Sequence, residues 1–146
     1  MVGVVLFVLI LVFYGFLLST NLFRKILQED TNAQVKNFFD KWDAFFKNDS
    51  SRLILSITSF VVGVWNFFAP DFGAGFSPTI IGALIPSLLM IVNSVIIYPG
   101  ILGLINLSQE TKDGITKFIG SFEGLAGLLT LVLGLLHVGL FGVPFF

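Results

Sequence analysis

The chain has 146 residues, of which 55% are hydrophobic and 12% charged, with a mean hydropathy of +0.96. Few water-soluble domains could bury that much apolar surface, so the expected solvent is lipid and the expected size one compact unit. The lack of cysteine excludes disulfides, thiolate metal sites and cysteine nucleophiles, and eight basic against nine acidic residues leave no nucleic-acid footprint.

The first apolar stretch runs without a charge from Val2 to Leu18 and is expected to extend as a span over residues 2–23. It has no basic leader and no small-x-small cleavage site. Ser19, Thr20 and Asn21 lead into Leu22 and Phe23, so a retained span is expected rather than a signal peptide. The helix should continue past the lipid through Ile26 and Leu27, with Arg24 and Lys25 at headgroup level.

Residues 33–47 place Val35, Phe38, Phe39, Trp42, Phe45 and Phe46 on one helical face and Lys36, Asp40, Lys41, Asp43 and Lys47 on the other. Thr31 and Gln34 fit a capping box, with Asp30 and Asn32 as alternative caps. The segment reads as an interfacial helix, and Phe38, Trp42 and Phe45 as its contact with lipid or a partner.

The second span is expected over residues 53–69, where Ser56, Ser59, Gly63 and Asn66 form a small-polar stripe. Pro70, Gly73, Gly75 and Pro78 argue against a regular helix in the loop that follows; Phe72 and Phe76 would anchor it, and Ser77 would cap the next helix. The third span covers residues 79–107. Pro86 and Pro99 should bend it, with Tyr98-Pro99-Gly100 as the sharper break and Asn93 and Ser94 just before it. Broken backbone at membrane depth needs protein or water beside it, so residues 93–100 mark the best candidate for an internal site.

The fourth span, residues 118–141, carries Gly120, Gly124, Gly127 and Gly134, the first two as a GxxxG pair. These glycines, with Gly63, are the expected packing positions, and the stripes of spans two and four are the natural partners. Matches between the two halves suggest tandem helical hairpins. Glu123 and His137 are the only titratable side chains inside the apolar spans apart from Tyr. Fourteen residues separate them, ~21 Å along the axis, too far for a direct pair. Glu123 is expected to bond Ser or Thr of span two, or to pair with Lys112 or Lys117; His137 is expected to be partly wet.

All eight basic residues fall between spans one and two or between spans three and four. With four spans these segments share one side, the cytoplasm, and both termini lie outside. The expected fold is therefore an all-α, polytopic four-transmembrane-helix bundle with an amphipathic interfacial helix after span one. Composition points to a bacterial inner membrane. No nucleophile motif, phosphate loop, dinucleotide fingerprint or metal-ligand set is present, so no enzyme, cofactor or metal is expected. The expected function is assembly in the lipid bilayer, as a homo-oligomer or with other membrane subunits. The alternative is a small transporter or ion or proton channel using Glu123, Asn93, Tyr98, Ser59 and Asn66.

Overall fold

Continuous apolar runs without strand alternation favour helix, and every described element is one. A computed structural model describes residues 2–29, 31–73 and 84–139. Helix α1 spans Val2–Leu18, α2 Thr20–Ile26, α3 Ala33–Phe46 and α4 Asp49–Phe68. A single turn, α5, covers Pro70–Gly73. Then come α6 at Ile85–Ile97, a 3-10 segment at Pro99–Leu104, α7 at Gln109–Gly120 and α8 at Glu123–Gly139. Phe76, Ser77 and Pro78, expected to anchor and cap the outer hairpin, lie outside the described residues.

Two antiparallel pairs make the bundle. Helix α1 lies along α8, and α4 along α6; α6 also touches α8. The glycines show how close the backbones come. A Cβ added at Gly15 would lie 2.5 Å from Leu131 Cα, and one at Gly127 would lie 2.7 Å from Leu18 Cβ. Gly134 meets Val12 and Leu11, and Gly63 meets Ser87 and Ile91 of α6. The stripes of the second and fourth apolar segments therefore do not pack on each other as expected. Each has a different partner, because α1 brings its own small residue, Gly15, to α8. Gly120 and Gly124, the GxxxG pair, face open space. The pairing is nested, α1 with α8 and α4 with α6, and not the tandem hairpins that a repeat of the two halves would give.

The core between the pairs holds Phe7, Leu11, Tyr14, Leu18, Val62, Met90 and Ile97. His137 is 2% exposed and packs edge-on against Phe7, so the expected wet position is corrected: α1 covers it.

Hydroxyl side chains bend the chain twice. Thr20 Oγ1 donates back to Leu17 O at 2.7 Å, and α2 turns 73° away from α1. Ser121 Oγ donates to Phe118 O at 2.6 Å, and α8 leaves α7 at 61°. Such back-bonds compete with the helical ladder and bend it. The second bend corrects the fourth apolar segment, whose straight helix starts at Glu123 rather than at residue 118. Residues 109–120 become a second amphipathic helix, with Ile115 and Ile119 against the bundle and Phe118 exposed.

Caps set the other boundaries. Asn32 Oδ1 accepts from Gln34 N and Val35 N, so the alternative cap is used in place of the Thr31–Gln34 box. Asn48 caps α4, which starts four residues earlier than expected. Pro86 falls in the first turn of the described α6, where a missing N–H costs nothing; residues 79–83 of the expected third span lie outside the described residues. Pro99 ends that helix as expected.

By length and composition, Asp49–Phe68 is the one described helix able to cross a membrane alone, with up to two more if each bent pair counts as one span. Helix α6 is apolar but short.

Gly15→Ala should destabilise the bundle by about 1–3 kcal/mol, since Leu131 backbone must move. Gly124→Ala should change stability by less than about 0.5 kcal/mol. Unfolding of the two variants in mixed detergent, followed by circular dichroism, measures the contrast.

Candidate functional site

Polar side chains inside an apolar bundle must find partners, because an unsatisfied group there costs ~1–3 kcal/mol. Ser56 Oγ donates to Ser94 O at 2.7 Å, and Ser59 Oγ to Met90 O at 2.6 Å. Asn66 Nδ2 donates to Ser87 Oγ at 3.1 Å. These three tie α4 to one face of α6. From α6, Asn93 Nδ2 reaches Thr130 Oγ1 of α8 at 2.9 Å. The Thr130 hydroxyl itself donates to Ala126 O, which fixes the Asn93 amide with its nitrogen toward Thr130. Asn93 Oδ1 is buried and has no hydrogen-bond partner among the described residues. Tyr14 Oη donates to Leu55 O at 2.7 Å and links α1 to α4.

The sequence-derived pathway residues thus separate. Ser59 and Asn66 face α4–α6, Asn93 faces α8, and all three are buried and engaged in bonds between helices. They hold helices together and do not line one continuous polar path. Tyr98 is the extended residue that ends α6, and its ring supports Gly100. Glu123 stands apart from all of them, exposed in the first turn of α8. It has no bond to Ser or Thr of α4 and no ion pair with Lys112 or Lys117 among the described residues. The bend at Ser121 carries α7 and its lysines away at 61°.

What gathers chemistry is the end of the bundle where α1 and α6 finish and α4 and α8 start. A cleft of about 430 Å³ opens there, lined by Leu18, Asn21, Arg24, Trp42, Asp43, Arg52, Ile97 and Glu123 among others. Two arginines organise it. Arg24 is 18% exposed; its Nη1 donates to Glu29 and its Nη2 to Asp43 at 2.6 Å, while the guanidinium lies 4.6 Å from the Phe39 ring centre. Burial alone would lower its pKa; the Glu29 hydrogen bond and the fields of Asp43 and Glu29 outweigh that and raise it.

Arg52 has a different task. Pro99 has no N–H, and Ile101 N bonds Tyr98 O in the 3-10 segment. Arg52 Nε donates to the Ile97 carbonyl at 2.9 Å. A cation at a helix C-terminus is also favoured by the helix dipole. Its other contact is a 3.9 Å pair with Asp49, which is 86% exposed and contributes little. Sequence reasoning missed this role, although a basic residue at the start of one apolar helix and a proline break in another were both visible.

The aromatic face of α3 divides in the structure. Trp42 packs at 5.1 Å on Phe16 and 6.1 Å on Phe13 of α1, so it belongs to the bundle. Phe39 is fully buried under Arg24. Phe38 and Phe45 are 50% and 58% exposed and remain as the outward surface.

Among the described residues no group of three His, Asp or Glu could hold a metal ion.

Ser59→Ala should cost about 1 kcal/mol, the usual size of a bond between apolar helices. Arg24→Ala should loosen α3 from α1, and Arg24→Lys should not restore it, since a lysine cannot serve two carboxylates and a ring together. Trp42 emission, read in a Trp65→Phe background, should shift to the red in both Arg24 variants.

A protein-family model matches residues 4–137, nearly the whole chain, and the family is one of unknown function. No curated protein and no solved structure matches significantly.

Proposed function

The chain belongs to this family of unknown function, and we propose that it is a non-enzymatic four-span membrane protein that acts by assembly, as a homo-oligomer or as a small subunit of a larger complex. The carrying observation is where its polar groups go. Ser56, Ser59, Asn66, Asn93 and Thr130 are bonded between or within helices, while the outward surfaces of α1, α4, α6 and α8 are apolar. Val5, Leu9, Ile54, Val61, Trp65, Leu88, Leu129 and Leu135 are among those exposed side chains. Water is a poor solvent for such a surface and lipid a good one.

Charge placement supports the same reading. The cleft brings the ends of α1, α4, α6 and α8 together, and α2, α3 and α7 join the bundle at that end. These elements carry the basic residues from Arg24 to Arg52, and Lys112 and Lys117. The positive-inside rule assigns that end to the cytoplasm and both termini to the periplasm of a bacterial inner membrane. Amphipathic α3 and α7 would then lie at the inner interface.

Assembly in lipid relies on shape and small residues rather than on hydrophobic burial. Two outward features suit it. Gly120 and Gly124 have nothing against them, and Phe60, Val61, Val64, Trp65 and Phe68 of α4 border an apolar hollow of about 320 Å³.

The second reading, a small transporter or channel, has one observation in its favour: the Glu123 carboxylate lines a cleft beside the broken end of α6 and has no partner among the described residues. Against it stands the engagement of Asn93, Ser59 and Asn66 in bonds between helices.

Two measurements test the proposal. The chain has no cysteine, so single variants can be labelled cleanly with an impermeant maleimide. Val2→Cys should react in intact cells; Lys36→Cys and Glu110→Cys should react only in inverted vesicles. Native mass after gentle extraction should show a defined oligomer or a stoichiometric second chain. A monomer whose ion or proton flux disappears in Glu123→Gln would replace assembly with transport.

A further inference from the structure

The cleft at the basic end of the bundle holds one unused charge of each sign. Arg24 is occupied by Glu29 and Asp43. Arg52 uses Nε on Ile97 O, and among the described residues its remaining N–H groups meet only the distant, exposed Asp49. Glu123, at the start of α8, lines the same cleft and has no hydrogen bond or ion pair, with Arg52 or any other group, among the described residues. Two opposite charges that line one cleft without an ion pair between them suit a molecule carrying both an anion and a hydrogen-bonding cation. A simple anion would meet the field of Asp43 and Glu123; a simple cation would meet two arginines. The opening is otherwise amphiphilic. Leu18 and Ile97 form an apolar floor, and Trp42 of α3 forms part of the wall. Aromatic rings with one polar edge are favoured where lipid meets water. The volume, about 430 Å³, lies in the range of sites for small molecules.

We propose that this cleft binds a phosphoethanolamine head group, with its phosphate on Arg52 and its ammonium on Glu123. The phosphate accepts charge-assisted hydrogen bonds from the free guanidinium nitrogens, and the ammonium donates to the carboxylate. A trimethylammonium head group cannot donate that bond, and a glycerol head group brings no positive charge to Glu123. The lipid as the source of the head group rests on the membrane reading above.

The experiment uses the full chain in nanodiscs containing equal parts of phosphatidylethanolamine, phosphatidylcholine and phosphatidylglycerol, with bound lipid identified by native mass spectrometry. Wild type should retain phosphatidylethanolamine about tenfold over each of the others. Glu123→Gln, an exposed change with no bond to lose, should remove the preference over phosphatidylglycerol. Arg52→Gln should weaken both phospholipids together. Equal retention of the three lipids by wild type, or an undiminished preference in Glu123→Gln, would overturn the proposal while leaving the membrane reading intact. Failure of wild type to enter the discs would overturn the membrane reading instead. In that event calorimetry with free O-phosphoethanolamine decides the cleft: binding that weakens in Glu123→Gln supports a soluble source of the same zwitterion, and no binding sinks the site.

Discussion

Helices α1 and α8 approach so closely that Gly15 and Gly127 have no room for a side chain. These are the first and last long helices of the chain, so their contact closes it around α4 and α6. With apolar residues on every side, hydrophobic burial discriminates poorly among pairings; the fit of backbone against small residues does so sharply. The nested order of the bundle follows. Gly15, Gly127 and Gly134 select α1–α8, and Gly63 selects α4–α6. Helix α6 then meets α8 and completes the core.

Hydrogen bonding works within that frame. The serines of α4 donate to carbonyls of α6 that face them across a tight seam, and Asn93 joins α6 to α8 on its other side. At the end of α6, the proline that stops the helix leaves a carbonyl, and an arginine from the neighbouring helix serves it. The same end holds both hydroxyl-bonded bends. These turn α2 and α7 away from the axis and leave a space between α3, α4 and α8. The cleft is thus a consequence of how the helices end. Its charges come from residues whose first duty is to finish those ends.

This division shapes the functional reading. Most polar side chains between α4, α6 and α8 are bonded to one another or to backbone, and the ion pairs sit at one end. On the proposed reading, that end faces the cytoplasm. On the same reading, an apolar body facing lipid and a charged inner collar fit a protein that meets partners and head groups better than one that passes ions through its middle. Phe38 and Phe45 remain outward on α3, beside the half-buried Trp42, and offer the collar an aromatic rim.

Much of the helical order was legible from residue types alone. The period of Phe39, Trp42 and Phe46 defines α3, and Tyr98-Pro99 marks the end of α6, because periodicity and proline act locally. The buried Ser56–Asn66 stripe was equally visible as a contact face. Its partner was not. Gly120 and Gly124 carry the strongest packing motif in the chain and pack on nothing, while Gly15, a lone glycine, makes the closest contact. Glu123 is expected to bond Ser or Thr of span two or a lysine and has none of these partners among the described residues; His137 is expected to be wet and is buried. Local sequence determined which segments are helical, where prolines and hydroxyls interrupt them, and which side chains seek close or polar contacts. Only the tertiary structure decided which helices meet, since that depends on the simultaneous fit of surfaces far apart in the chain. The meeting of Arg52 with Ile97 and the isolation of Glu123 follow from that fit.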